Sequence, residues 1–225
     1  EIRNLIPNSA ICIDIPGYLF MGLHPDIMNC SGLEKAPEIA PLKNGNIVSR
    51  IAAIGYLNGF TEKETVSCFH AGTYEELGYF NYRAAEDALL MRFKPVREHL
   101  VDRLSSWVSS GKFAFTHNHP RGNVLFDVLT SFLLHYEVGF DIAPARVSKK
   151  GIPNLLAQGP QYPVYPEIAE QIGIEDTFCW KPNGGNEIYD LPTFVHRCYI
   201  ALGSLDSPET SLPGVLEQVE KLRLR

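Results

Sequence analysis

No apolar run in this sequence approaches the roughly 18–20 residues needed to cross a bilayer. The longest candidate, Val124 to Tyr136, is broken by Asp127, Thr130, Ser131 and His135, so no membrane span is expected. The five cysteines, Cys12, Cys30, Cys68, Cys179 and Cys198, are odd in number and form no CxxC pair. That pattern points to reduced thiols in a cytoplasmic protein rather than to a disulfide framework. HExxH and zinc-finger spacings are missing, and so are GxSxG, Walker and GxGxxG sequences. Excess positive charge is missing too: the net charge is −6, which argues against a general nucleic-acid binder. There is no internal repeat and no low-complexity linker.

What remains is a folded chain. Its 225 residues are 45% hydrophobic, 20% charged and 11% aromatic, which excludes a disordered protein and suits one domain over residues 1–225 with a sizeable core. The chain begins at Glu1 without an initiator Met, so a native N-terminus is expected to have been removed. Charge is uneven. Residues 81–160 carry +3, against −4 before and −5 after them, so an anionic ligand is expected on the middle third.

Patterning predicts a helix-rich α/β fold, a small mostly parallel sheet with many surrounding helices. Ser9 to Ile15 reads as a short buried strand, and residues 31–46 as a loop. Ile51, Ile54 and Leu57 fall at helical spacing up to Gly59. Thr61-Glu-Lys-Glu64 is a capping box opening a short helix. Further helices are predicted over Tyr82–Phe93, capped by Asn81, then from Pro95 to Gly111, and over Asn123–Val138, Pro166–Ile172, Leu191–Leu202 and Pro213–Arg225. Lys112 to Thr116 reads as a strand, so His117-Asn118-His119-Pro120 lies between a strand and a helix, where α/β folds place chemistry.

That polar block is the densest candidate site. His117 and His119 suit metal ligands or a general base, but Asn118, His119 and Pro120 suit a plain helix entry equally well. His24-Pro25-Asp26 offers a second histidine fixed by a proline, with Asp26 placed to orient it; a loop turn explains the same residues. His24, His117 and His119 together could hold zinc. Arg146, Lys149 and Lys150 could bind phosphate or form a solvated loop. Cys30 is the one cysteine in a clearly polar loop, and as a nucleophile it would need a base beside it.

Four segments in order carry a resemblance: Phe20-Met-Gly-Leu-His-Pro-Asp26, Gly78-Tyr-Phe80, Thr116-His-Asn-His-Pro120, and Gly159-Pro160 followed by Pro163-Val-Tyr-Pro-Glu-Ile168. Over about Ile13 to Leu202 the chain resembles the WcbI family of bacterial polysaccharide-biosynthesis proteins. The resemblance implies a cytoplasmic acetyl-CoA-dependent O-acetyltransferase that binds coenzyme A, needs no metal, and modifies a sugar of a surface polysaccharide such as a capsule. It makes His119 the first catalytic candidate, followed by His24, Asp26, Asn118 and His117. Arg121, Arg146, Lys149 and Lys150 become candidates for the coenzyme phosphates. A homo-oligomer is compatible with all of this.

One departure stands out. The family opens with a strand and a Gly-Asn-Cys-Gln turn whose cysteine is the suspected nucleophile, and no such tetrapeptide occurs here. Either a preceding segment carried it, or this member works without it, through direct attack of a sugar hydroxyl assisted by His119. An esterase-like hydrolase and a non-catalytic carbohydrate- or nucleotide-binding module are the alternatives.

Overall fold

Ser49 does two jobs at one junction. It closes a strand, and its Oγ accepts the Ala52 N–H at 3.0 Å, which starts the first helix. The computed structural model describes residues 12–36, 38–43, 46–138, 152–212 and 214–219. Strand β1 (Ile27–Asn29) pairs antiparallel with β2 (Ile47–Ser49), Met28 lying opposite Val48. Helix α1 (Arg50–Leu57) follows directly, then α2 (Glu62–Ser67) behind the expected Thr61–Glu64 capping box. Next comes α3 (Ala71–Glu76), where the His70 ring accepts the Gly72 N–H at 3.1 Å.

Two longer helices, α4 (Tyr82–Arg92) and α5 (Arg97–Ser109), are joined by a 3-10 turn containing Pro95. The centre of the chain is β3 (Ala114–Thr116), β4 (His119–Pro120) and α6 (Gly122–His135). A 3-10 turn at Leu155–Gln158 leads to α7 (Pro166–Gln171), α8 (Leu191–Gly203), α9 (Pro208–Ser211) and α10 (Leu216–Val219).

The helix-rich character expected from patterning holds, and short sheets accompany it. The mostly parallel sheet does not appear: the described strands, two or three residues each, pair antiparallel in two separate sheets. For β3 and β4 the reason is reach. Only His117 and Asn118 separate β3 from β4, and a parallel pair needs a crossover of a dozen residues or more. The expected strand over Ser9–Ile15 lies partly outside the described residues, and its described part, Cys12–Ile15, forms no regular element. Most of the expected terminal helix also lies outside them.

The core is built from helix faces. α1, α2 and α8 pack on one another, and Gly55 lets α2 approach α1: a Cβ there would meet the Thr65 Oγ1. α5 packs on α6, pinned by the Trp107 indole N–H donating to Asp127 at 2.8 Å, both side chains buried. Trp180 stacks on Phe194 of α8 at 4.3 Å, tying the loop before that helix to the interior. Among the described residues no helix is long and apolar enough to cross a membrane.

Candidate functional site

Pro25 stiffens a turn and Pro163 a stretch without regular structure, and the two meet inside the protein. His24 is buried, and its Nδ1 lies 3.0 Å from the Pro163 carbonyl oxygen. A carbonyl only accepts, so Nδ1 carries the proton. Burial and the nearby Lys112 ammonium hold this imidazole well below the usual histidine range, so the ring is neutral at pH 7. Nε2 is therefore a bare lone pair, buried without a hydrogen-bond partner.

Tyr162 gathers the histidines. Its ring meets His24 edge-on at 5.5 Å and lies near-parallel to His117 at 6.2 Å. Burial, with His119 close by, lowers the His117 pKa, and burial alone lowers that of His119. Each of these two rings has a buried Nδ1 with no hydrogen-bond partner. Gly159 backs His119: a Cβ there would come within 4.0 Å of the ring. Between the two histidines, Asn118 is exposed, and its Oδ1 accepts the Thr116 hydroxyl at 2.8 Å.

The Tyr162–Pro163 backbone is fixed from several sides. The Tyr162 N–H donates to the Phe115 carbonyl at 2.8 Å, and the Lys112 ammonium donates to the Tyr162 carbonyl while pairing with Asp176 at 3.2 Å. Lys181 caps the preceding 3-10 turn, donating to the carbonyls of Ala157, Gln158 and Gly159 at 3.0–3.2 Å. Burial lowers the Lys112 pKa, against the pull of Asp176.

Asp26 turns away from His24. Its Oδ1 accepts the Ile51 N–H at 2.9 Å and the Tyr79 hydroxyl at 2.8 Å, and its Oδ2 accepts the Tyr165 hydroxyl at 2.6 Å. The carboxylate thus sits at the N-terminus of α1, where the helix dipole favours negative charge. The pairing of Asp26 with His24 suggested by their spacing is not formed; the Pro163 carbonyl orients the ring instead. Burial, with the Asp26 charge adding to it, raises the pKa values of Tyr79 and Tyr165 well above the usual phenol value.

Arg121 occupies the N-cap position of α6, with its guanidinium 5.7 Å from the Phe115 ring centre and a buried Nε that has no partner. Arg146, Lys149 and Lys150 lie outside the described residues. Among the described residues, no three His, Cys, Asp or Glu side chains are grouped to hold a metal ion, so the zinc arrangement of His24, His117 and His119 is not formed.

Cys30 is not in a polar loop surface. It is fully buried, and burial with the Glu34 charge pushes its thiol up to about 11. Burial raises the thiols of Cys68 and Cys198 as well, while Cys12 and Cys179 are exposed.

The structure therefore brings His24, His117 and His119 together and sends Asp26 to a separate buried network. Sequence reading missed Tyr162, Pro163, Lys112 and Lys181 as members of the site. A usable signal was present: aromatics and prolines alternate along Tyr162-Pro-Val-Tyr-Pro166, a stiff extended ribbon that presents its rings at fixed intervals.

Comparisons with known proteins bear on the family and the fold. The sequence model described as polysaccharide biosynthesis enzyme WcbI matches residues 1–139. A solved structure of WcbI, a polysaccharide biosynthesis enzyme, superposes with a TM-score of 0.63 at 14% identity, over 99% of this chain and 71% of that one. That structure is described as the native protein without a disulfide bond between coenzyme A and one of its cysteines. No curated protein matches the chain.

Proposed function

Because the chain belongs to the WcbI family of polysaccharide biosynthesis enzymes, we propose that it is an acetyl-CoA-dependent O-acetyltransferase acting in the bacterial cytoplasm on a sugar of a surface polysaccharide. The observation that carries this reading is the set of neutral imidazoles with unpartnered ring nitrogens, His24 and His117 in contact with Tyr162 and His119 beside His117. Coenzyme A in the description of the similar structure supports the choice of donor.

His119, half-buried where His24 is wholly buried, is the general base in this reading. Its lowered pKa keeps the lone pair free at neutral pH. The base takes the proton of the acceptor hydroxyl as that oxygen attacks the thioester carbonyl. The Asn118 side-chain N–H, not used by Thr116, stabilises the oxyanion. Collapse of the tetrahedral species expels the coenzyme thiolate, which takes the proton from the His119 imidazolium. His24 and His117 set the orientation and polarity around the base. Arg121, with an unpartnered buried Nε, fits an anion and is assigned to a coenzyme phosphate, with Arg146, Lys149 and Lys150 as further candidates.

The raised thiols of Cys30, Cys68 and Cys198 support attack without a cysteine nucleophile. Thermal-shift titration with coenzyme A tests the reading. A ligand that binds only the folded state at about 100 times its Kd adds about 2.7 kcal/mol of apparent stability. No upward shift of Tm at millimolar coenzyme A counts against the transferase.

A further inference from the structure

A second concave surface lies apart from the histidine cluster. The start of α4, one turn of α5 and the end of α7 enclose an open groove of about 680 Å³, within the size range of small-molecule sites. We propose that this groove is a subsite for an uncharged sugar chain, seated by the aromatic rings of Phe80 and Tyr82 and by the polar side chains of Asn81, Ser105 and Gln171.

The chemistry of the lining argues for this ligand. A pyranose has an apolar C–H face and a rim of hydroxyls, so it needs a ring to lie on and groups that both donate and accept. Phe80 and Tyr82 give the rings; Asn81 and Gln171 each carry an amide with both functions, and Ser105 a hydroxyl. Asn81 stands at the N-cap of α4 yet makes no capping bond, so its side chain is uncommitted. The Tyr82 hydroxyl is buried without a partner.

Charge argues against the coenzyme here. The one cation in the lining, Arg83, is neutralised by Glu86 at 2.9 Å, which leaves no net positive charge to meet a pyrophosphate. The groove is also connected to the histidines. Phe20 packs edge-on against Tyr82 at 5.4 Å, and its N–H donates to the His117 carbonyl at 2.7 Å. Treating the bound sugar as the acetyl acceptor rests on the transferase reading; sugar binding in the groove does not.

The test uses the whole chain with linear hexasaccharides of glucose, mannose and galactose as probes, read by saturation-transfer NMR at about ten times a millimolar Kd. Coenzyme A thermal shift runs in parallel. Wild type is expected to bind at least one hexasaccharide, and Ser105→Trp, which fills the groove from an exposed position, to bind it at least about tenfold more weakly. The coenzyme A shift should stay unchanged in Ser105→Trp. If that variant does not fold, Asn81→Ala and Gln171→Ala, both at exposed positions, carry the same comparison.

Failure of wild type to bind any of the three overturns the proposal, as does equal binding by the groove variants. Loss of the coenzyme shift in Ser105→Trp with sugar binding intact also overturns it, since the groove would then belong to the coenzyme. Sugar binding in a wild type that coenzyme A does not stabilise supports the groove and overturns the transferase reading instead.

Discussion

The Tyr165 hydroxyl donates to Asp26 at 2.6 Å across 139 residues of sequence, joining two of the four segments on which the sequence resemblance rests. Tyr79 of the Gly-Tyr-Phe segment donates to the same carboxylate. Three short segments, each unremarkable alone, therefore converge on one buried charge at the start of α1. Removing a partner from a buried charged hydrogen bond costs about 1.5–3 kcal/mol. Tyr165→Phe should lower unfolding free energy by about 2 kcal/mol, measured by urea denaturation. Asp26→Ala, which strands two hydroxyls and the Ile51 N–H, should cost about 3 kcal/mol or more. Wild-type stability in Asp26→Ala would contradict the structural role given to this carboxylate.

The buried histidines predict a pH dependence of stability. His24, His117 and His119 have folded pKa values below the unfolded value of about 6.5. Between those limits the unfolded chain binds more protons than the folded one, so stability is full above about 6.5 and falls as pH drops below it. His24→Asn keeps a donor for the Pro163 carbonyl and removes a titrating ring. Its Tm should change less than that of wild type between about pH 6.5 and 5. An identical acid limb in the two proteins would show that His24 is not the buried neutral ring described here.

Activity should follow the same sign. A general base works in its neutral form, and burial lowers the His119 pKa. The acid limb of kcat/KM is therefore expected at a pH below that of free imidazole. A limb at or above about 6.5 would remove His119, in this environment, from that role.

Thiol accessibility gives a check that needs no substrate. Iodoacetamide applied to the native protein should modify Cys12 and Cys179 and spare Cys30, Cys68 and Cys198, as read by peptide mass spectrometry. Rapid native-state labelling of Cys30 would contradict its burial and its raised pKa, and would reopen a cysteine mechanism.

The helices were legible in the sequence because their signals are local. The Thr61–Glu64 capping box, Pro95 ahead of α5 and the apolar spacing of Leu100, Leu104 and Trp107 need only a few neighbouring residues to act. The strand read over Lys112–Thr116 contains β3, but β1, β2 and β4 were not legible, since elements of two or three residues are too short to show alternation. In the site, the histidines could be picked by residue type and by the turn at His117–Pro120. Their organiser could not, because Tyr162 reaches them only through tertiary packing. The same limit explains Asp26: spacing two residues from His24 suggested a pair, whereas three donors from α1, Tyr79 and Tyr165 hold it elsewhere.

The central claim is a histidine-assisted transfer that needs no thiol, and coenzyme A release from acetyl-CoA, followed with a thiol reagent, tests it most directly. His119→Ala should slow release by about 100-fold or more while folding normally, and Cys12→Ser, Cys30→Ser and Cys179→Ser should each release at the wild-type rate. A His119→Ala protein that releases coenzyme A as fast as wild type would contradict the account.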